Sequence, residues 1–283
     1  FMRSQEAKVS PASDYYVYAP SALAARLYLY PTSVGYFYYE AGYWIRRNRF
    51  DRFLNMYISK GNCHITIPGK KLTARAGQFV LLDCYQPHSY GSAGSWDALW
   101  LHFDGRLARD YFEEITTSYG QILDTEDSDA PIQQLQKIYD VFRTSSTILE
   151  GKLSGYITKL LNNFLYSSEE SRKNRVCGAT MADAISYINE HFQSDLSLEK
   201  LAAESNMSLF NFTRVFTKET GITPHQYLIK TRLAAAKYLL KSTETSIKNI
   251  AFSTGFNSET SFCTTFKNWE NVTPSQYRQS ILN

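Results

Sequence analysis

Between residues 21 and 105 apolar positions come in short runs, several of them alternating with polar neighbours. The runs 26–30, 36–40, 53–58, 64–67, 79–83 and 98–103 each read as a strand. Turn-forming residues separate them: Pro31-Thr32-Ser33, Lys60-Gly61-Asn62, Pro68-Gly69-Lys70, Ala76-Gly77, the stretch from Gly91 to Gly94, and Asp104-Gly105. Many short strands with turns about 8–12 residues apart predict an antiparallel sandwich or barrel. From 106 to 170 the period lengthens. Leu135, Ile138, Val141 and Phe142 fall at helical spacing, as do Leu153, Ile157, Leu160, Leu161, Phe164 and Leu165, which predicts at least two amphipathic helices. Either these helices cap the barrel, or their apolar stripe joins two copies of the chain. Residues 171–179 are polar and basic and read as a linker. The remainder, 180–283, reads as helical throughout. The expected fold is therefore α+β and multidomain: a β-barrel with an N-terminal arm over 1–105, a helical region over 106–170 with a possible dimer interface, the linker, and an all-α domain.

The last hundred residues contain a duplication. Ser197, Leu201 and Ala202 match Ser246, Ile250 and Ala251 at an offset of 49. Past the next turn the offset is 50, so that Ser208, Phe212, Phe216, Thr223-Pro224 and Gln226-Tyr227 match Ser258, Phe262, Phe266, Thr273-Pro274 and Gln276-Tyr277. The extra residue, about Asn257, sits in the second turn. Each copy reads as helix, tight turn, helix. Asn206 and Gly255 are equivalent, and both residue types tolerate the left-handed conformation that ends a helix. Ser208 and Ser258 stand where a side-chain oxygen caps the next helix. Phe212, Val215 and Phe216, and again Phe262 and Phe266, give that helix one apolar face. This is the pattern of a helix-turn-helix. After each copy, Thr-Pro-x-Gln places Thr at the cap, Pro at the first helical position and Gln at the third, a capping box. The first box opens a long helix, about Pro224 to Lys241, spanning roughly 27 Å. That length suits two reading helices held one DNA turn, about 34 Å, apart.

Composition narrows the function classes further. A chain with 43% hydrophobic and 20% charged residues is of the folded globular kind. No apolar run approaches the roughly 20 residues of a membrane helix, and the first five residues lack the apolar stretch of a secretory leader, so a cytoplasmic protein is expected. Cys63, Cys84, Cys177 and Cys263 are scattered, unlike a disulfide framework or a zinc site. The net charge of +3 says little about a nucleic-acid partner. The stretch 180–283 holds ten Lys/Arg against nine Asp/Glu, so a DNA-binding face would need its cations segregated, or affinity gained through dimerisation.

The motifs Leu201-Ala202, Phe212-x-Arg214-x-Phe216, Gly221-x-Thr223-Pro224-x-x-Tyr227, Ile250-Ala251-x-x-x-Gly255-Phe256 and Phe262-x-x-x-Phe266-Lys267, with Thr273-Pro274-x-x-Tyr277, resemble the DNA-binding domain of the AraC/XylS family. The β half resembles the family's cupin-like effector domain over Ala76-Gly77-Gln78 through Pro87-His88-Ser89-Tyr90, and at Trp100-Leu101-His102-Phe103. The resemblance implies a non-enzymatic, sequence-specific regulator that acts as a homodimer on double-stranded DNA. It further implies activation of carbohydrate-utilisation genes and admits RNA polymerase as another partner.

With the phenylalanine faces turned inward, Phe210, Asn211, Thr213, Arg214 and Thr217 lie outward or at the edge of the first reading helix. Thr260, Ser261, Cys263, Thr264 and Lys267 do so on the second. The resemblance puts base contacts on Phe210, Thr213 and Arg214, and on Glu259, Thr260, Cys263 and Thr264. An arginine such as Arg214 can pair bidentately with guanine, worth about 1–3 kcal/mol of discrimination. Lys218 and Lys267 suit phosphates. Thr264 stands where the family often carries arginine. The plain alternative for Arg214 is a solvated or ion-paired surface residue.

A small open barrel holds one small ligand. Fourteen of the 21 tyrosines precede residue 120, a bias that points to a saccharide, since aromatic faces stack on sugar C–H patches while polar groups take the hydroxyls. Trp96, Ala98, Trp100 and His102 share one strand face. The resemblance places Tyr90 and Trp100 in the pocket, and Arg47, Arg49, His88 and His102 are candidates for its hydrogen bonds. Plain aromatic packing and a non-sugar ligand are the alternatives. A metal-dependent cupin-type enzyme would need three or four convergent ligands. His64, His88 and His102 contain no His-x-His pair, so neither metal nor cofactor is expected. A protein-contact role for the helix-turn-helix units would lack the steep salt dependence of DNA binding.

Overall fold

The computed structural model describes residues 2–3, 6–124, 129–173 and 181–279, with 2–3 and 166–173 described by backbone alone. The chain divides into two compact units, 1–170 and 171–283. The strands of the first unit are β1 (Met2–Arg3), β2 (Asp14–Val17), β3 (Tyr30–Tyr39), β4 (Tyr43–Arg47), β5 (Phe53–Lys60), β6 (Asn62–Ile67), β7 (Lys70–Arg75), β8 (Gln78–Asp83), β9 (His88–Ser92), β10 (Trp96–Asp104) and β11 (Ile122–Asp124). They form a seven-stranded sheet, β1-β2-β3-β10-β5-β8-β11, and a four-stranded sheet, β4-β9-β6-β7, all pairings antiparallel.

Two-residue alternation turns the larger sheet into a divider between two cores. On β10, Trp96, Ala98 and Trp100 face the smaller sheet, among Leu54, Met56, Ile58, Val80, Leu82 and Tyr90. Leu99, Leu101 and Phe103 face the other way, toward α2 (Ala108–Tyr119), α3 (Ala130–Arg143) and α4 (Glu150–Lys173). Buried on both faces, the central strands lose the apolar–polar contrast of a solvated sheet.

The helical stripes are spent on this core. Leu135, Ile138 and Phe142 of α3 and Leu153, Ile157, Leu160, Leu161 and Phe164 of α4 are buried with Phe79, Leu81 and Leu101. Each such side chain contributes about 1.5–3 kcal/mol when removed from water. Within the first unit these stripe residues are covered, and Val141 and Leu165 are half-buried against the same core.

Other expectations need correction. Residues 26–30 were expected as a strand, but Ala22–Leu27 is a helix, α1. Its cap is Ser21, whose Oγ accepts from the Ala24 amide at 3.1 Å, and extended structure begins only at Tyr30. Pro31-Thr32-Ser33 is no turn: it lies inside β3, opposite a register shift between His102 and Phe103. A bulge is one of the few places a sheet accepts proline. Gly91, expected in a turn, lies within β9, where a Cβ would stand 2.2 Å from the Tyr43 carbonyl oxygen. Strands β1, β2, β4, β7 and β9 lie outside the expected runs, and β11 lies in the region expected to be helical. The linker expected at 171–179 falls outside the described residues from 174 onward.

The second unit contains α5 (Met181–His191), α6 (Leu198–Glu204), α7 (Leu209–Thr220), α8 (Pro224–Ser242), α9 (Ile247–Ser253), α10 (Glu259–Glu270) and α11 (Pro274–Gln279). It has two cores, one per repeat. Phe212 and Phe216 pack with Ile188, Leu201 and Leu228, and Phe262 and Phe266 with Leu240, Ile250 and Phe256. Helix α8 serves both, giving Leu228 to the first and Leu233, Ala236 and Leu240 to the second.

Candidate nucleic-acid interface and ligand cavity

The duplication holds at the level of single hydrogen bonds. The Asn211 amide donates to Ser208 Oγ at 3.3 Å, and the Ser261 amide to Ser258 Oγ at 3.1 Å. The turns match as well: Asn206 has φ +52° and Gly255 φ +85°, and the amides of Met207 and Phe256 close on Ala202 and Ala251 at 2.9 and 3.0 Å. Buried Ser205 and Thr254, equivalent residues not singled out from sequence, donate to the carbonyls of Leu201 and Ile250 at 2.9 and 2.7 Å. Both capping boxes close, with Thr223 and Thr273 amides donating to Gln226 and Gln276 at 3.0 and 2.9 Å. Gly221 and Asn271, both left-handed, end α7 and α10. Helices α7 and α10 are thus each fixed at both ends by their own local sequence.

On α7, Phe210, Asn211, Arg214 and Lys218 are exposed, and Thr213 and Thr217 are half-buried. Phe210 is 78% exposed, which no packing role explains. Arg214 has no ion-pair partner among the described residues. Thr217 Oγ1 is occupied, donating to the Thr213 carbonyl at 2.7 Å. On α10, Glu259, Thr260, Thr264 and Lys267 are exposed, while Cys263 is half-buried against the core, with burial raising its thiol pKa. Helical spacing gathers 210, 213, 214 and 217 on one face, and 260, 263, 264 and 267 on the other helix. Helix α8, with 19 residues, is about 28 Å long.

The first unit contains a cavity of about 180 Å³ between its two sheets. The β4 alternation sends Tyr43 and Arg47 inward, β9 supplies Tyr90, and β10 supplies Trp100 and His102. Gly35 makes room for the tryptophan: it pairs with Trp100 across β3 and β10, and a Cβ there would stand 2.7 Å from Trp100 Cζ2. Phe37 meets the same indole edge-on at 5.1 Å, and His102 lies 5.5 Å from it. Of the six residues expected to hold a ligand, Arg47, Tyr90, Trp100 and His102 line the cavity. Arg49 does not; it pairs with Asp51 at an exposed position. His88 does not line it either. It is buried behind the wall, stacked on Tyr90 and held by the Gln86 carbonyl, 2.8 Å from Nδ1.

Sequence reasoning missed Glu6, Tyr15, Ser33, Phe37, Tyr39, Tyr43, Phe50 and Arg52 on the same wall. Alternation along 43–47 carries a signal for Tyr43, but Tyr15 arrives through pairing of β2 with β3, and Glu6 through the N-terminal arm, which bridges β3 at Val9 and Tyr39; no local pattern encodes either. His64 lies apart, on the outer face of the smaller sheet, stacked on Trp44 and 3.0 Å from Thr73 Oγ1. Among the described residues no group of three His, Cys, Asp or Glu side chains is placed to hold a metal ion, and no helix is long and apolar enough to cross a membrane.

Residues 30–157 match the family described as AraC-like ligand binding domain, and residues 201–280 match one described as helix-turn-helix domain. A protein of Haemophilus influenzae named as an uncharacterized HTH-type transcriptional regulator is 28% identical over 261 residues, which cover 79% of this chain and 85% of that protein. The MmsAB operon regulatory protein of Pseudomonas aeruginosa is 25% identical over 295 residues, covering 96% of this chain and 92% of its own. Among solved structures, the DNA-binding domain of AdpA in complex with a target DNA is 31% identical, matching 35% of this chain and 90% of that one with a TM-score of 0.34.

Proposed function

The chain belongs to the AraC/XylS family of transcription regulators, joining that family's ligand-binding domain to its helix-turn-helix domain, and from this we propose a regulator that senses a small carbohydrate in its barrel and responds by changing its hold on DNA. The observation that carries the reading is the aromatic-walled cavity of about 180 Å³, in a chain that also presents two cap-for-cap equivalent helix-turn-helix units. Helices α7 and α10 enter neighbouring major grooves. Phe210, Thr213 and Arg214, with Glu259, Thr260 and Thr264, meet base edges, while Lys218 and Lys267 meet phosphates. Cys263, half-buried, meets DNA only with its outer edge. Two copies bind together, which offsets the near-neutral charge of 180–283. The ligand acts through its differential affinity for two arrangements of the protein, and the output is activation of nearby genes. A relative named as an operon regulatory protein supports control of nearby genes.

The test has two arms. Selection from a random duplex pool yields a preferred site whose binding falls steeply with salt. A thermal-shift screen of monosaccharides yields one that raises the unfolding midpoint and changes occupancy of that site. Failure to enrich any duplex would remove the DNA-reading half, and a chain indifferent to every saccharide would remove the effector half.

A further inference from the structure

The cavity's charges are uneven. Arg47 and Arg52 line one side, and both lie against Phe50, their guanidinium carbons 4.3 and 4.0 Å from its ring centroid. Neither has an ion-pair partner among the described residues. Nearby carboxylates are engaged elsewhere: Asp51 with Arg49, Asp83 with Arg109 at 3.0 Å, and Asp104 with the Tyr85 hydroxyl. Glu6, the acid on the cavity wall among the described residues, accepts from the Tyr43 hydroxyl at 2.7 Å. Arg52 donates from Nη1 to Thr32 Oγ1 at 3.1 Å. Its Nε is buried without a hydrogen-bond partner among the described residues, and so are His102 Nδ1 and Trp100 Nε1. Burial, and then Arg52 and Arg47, push the His102 pKa down to about 3, so that wall carries its positive charge on the two arginines alone.

Guanidinium groups withdrawn from water recover the lost hydration best from a planar or tetrahedral anion that takes two of their donors at once. A cavity of about 150 Å³ holds a benzene molecule, so about 180 Å³ takes one substituted six-membered ring. Trp100, Phe37 and Tyr90 offer ring faces and edges for its C–H side.

We propose that the effector is an anionic monosaccharide, a sugar acid or a sugar phosphate, whose negative group is received between Arg47 and Arg52. This rests on the cavity being the effector site. The test is calorimetric titration of the full chain with D-glucuronate, D-galacturonate, D-glucose 6-phosphate and D-galactose 6-phosphate, against D-glucose and D-galactose. At least one anion is expected to bind about tenfold or more tightly than its neutral parent, the low end of what a charge-assisted hydrogen bond supplies. The carboxylate and phosphate arms identify the group. Arg47→Gln and, separately, Arg52→Gln are expected to bring the anion's affinity down to the parent's. If loss of the Thr32 bond prevents Arg52→Gln from folding, Arg47→Gln decides. A neutral sugar that matches its anionic counterpart, or folded variants that keep the preference, would overturn the charge assignment and leave the cavity an effector site. Silence from all six compounds would overturn the anionic assignment, whereas the reading beneath it falls only if the wider saccharide screen is silent too.

Discussion

Arg232, near the middle of α8, donates from Nε to the carbonyl of Phe192 at 2.7 Å. Its Nη2 reaches the Ser194 carbonyl at 2.9 Å, and its guanidinium lies 5.9 Å from the ring centroid of Phe256. The Phe192–Ser194 segment follows α5 in the first repeat, and Phe256 belongs to the turn of the second. Gly255 permits the approach, since a Cβ there would stand 2.6 Å from the Phe192 carbonyl oxygen. One arginine therefore ties the two helix-turn-helix units together, and burial lowers its pKa as the cost of that position.

Arg232→Ala should accordingly destabilise the second unit by about 1.5–3 kcal/mol, the usual loss for bonds to a charged donor. It should also weaken binding to a site read by both helices more than binding to half of it. Thermal unfolding and footprinting on full and half sites measure the two effects. Equal losses on both sites would show that the arginine does not set the spacing.

On the outer face of α7, Arg214→Ala should lower specific affinity by about 1–3 kcal/mol and relax preference at one base position, whereas Lys218→Ala should weaken all sequences alike and reduce the salt slope by about 1. Binding-site selection with each variant, repeated at several salt concentrations, separates the roles. An Arg214 variant with unchanged selectivity would remove it from the reading set.

The helix-turn-helix frame that leaves Arg214 and Lys218 exposed was legible because a duplication repeats its constraints: each cap, left-handed turn and phenylalanine pair occurs twice, at offsets of 49 and 50. The inward face of β10 was legible for a similar reason, since Trp96, Ala98, Trp100 and His102 keep strict alternation. The rest of the cavity was not. Arg52 precedes β5 by one residue and reaches the cavity from a bend, and Tyr15 is placed by pairing with Gly35 twenty residues on. Pro31 and Gly91 were misread because their usual meaning is local, whereas here a bulge and a close backbone approach decide.

Gly35 tests how tightly the cavity is built. Its φ is unremarkable, but a Cβ would fall 2.7 Å from Trp100 Cζ2, from Tyr15 Cβ and from the Asp14 carbonyl. Gly35→Ala should cost about 1–3 kcal/mol through overpacking and displace the indole, and Trp100→Ala should abolish the effector response. Both should leave DNA binding by the second unit intact, as measured by fluorescence anisotropy with and without ligand. A normal response in the Trp100 variant would move the pocket elsewhere.

His102 makes the first unit sensitive to acid. The ring is buried between Phe50 at 5.0 Å and Trp100 at 5.5 Å, and its folded pKa of about 3 lies below the roughly 6.5 of an unfolded histidine. Between those values the unfolded chain binds a proton that the folded chain refuses, so stability rises with pH and is lost as the pH drops through 6.5. From pH 7 to pH 5 the loss from this one group should be about 2 kcal/mol. His88, also buried with its pKa lowered, adds in the same direction. Glu150, whose carboxyl is held low by Ser21 and Tyr18, loses its contribution only as the pH falls through the carboxylate range, which leaves the window above pH 5 to the histidines. Urea unfolding at pH 7, 6 and 5 should therefore show a decline that His102→Gln largely flattens. A variant that declines in parallel with the parent would place the acid sensitivity elsewhere in the fold.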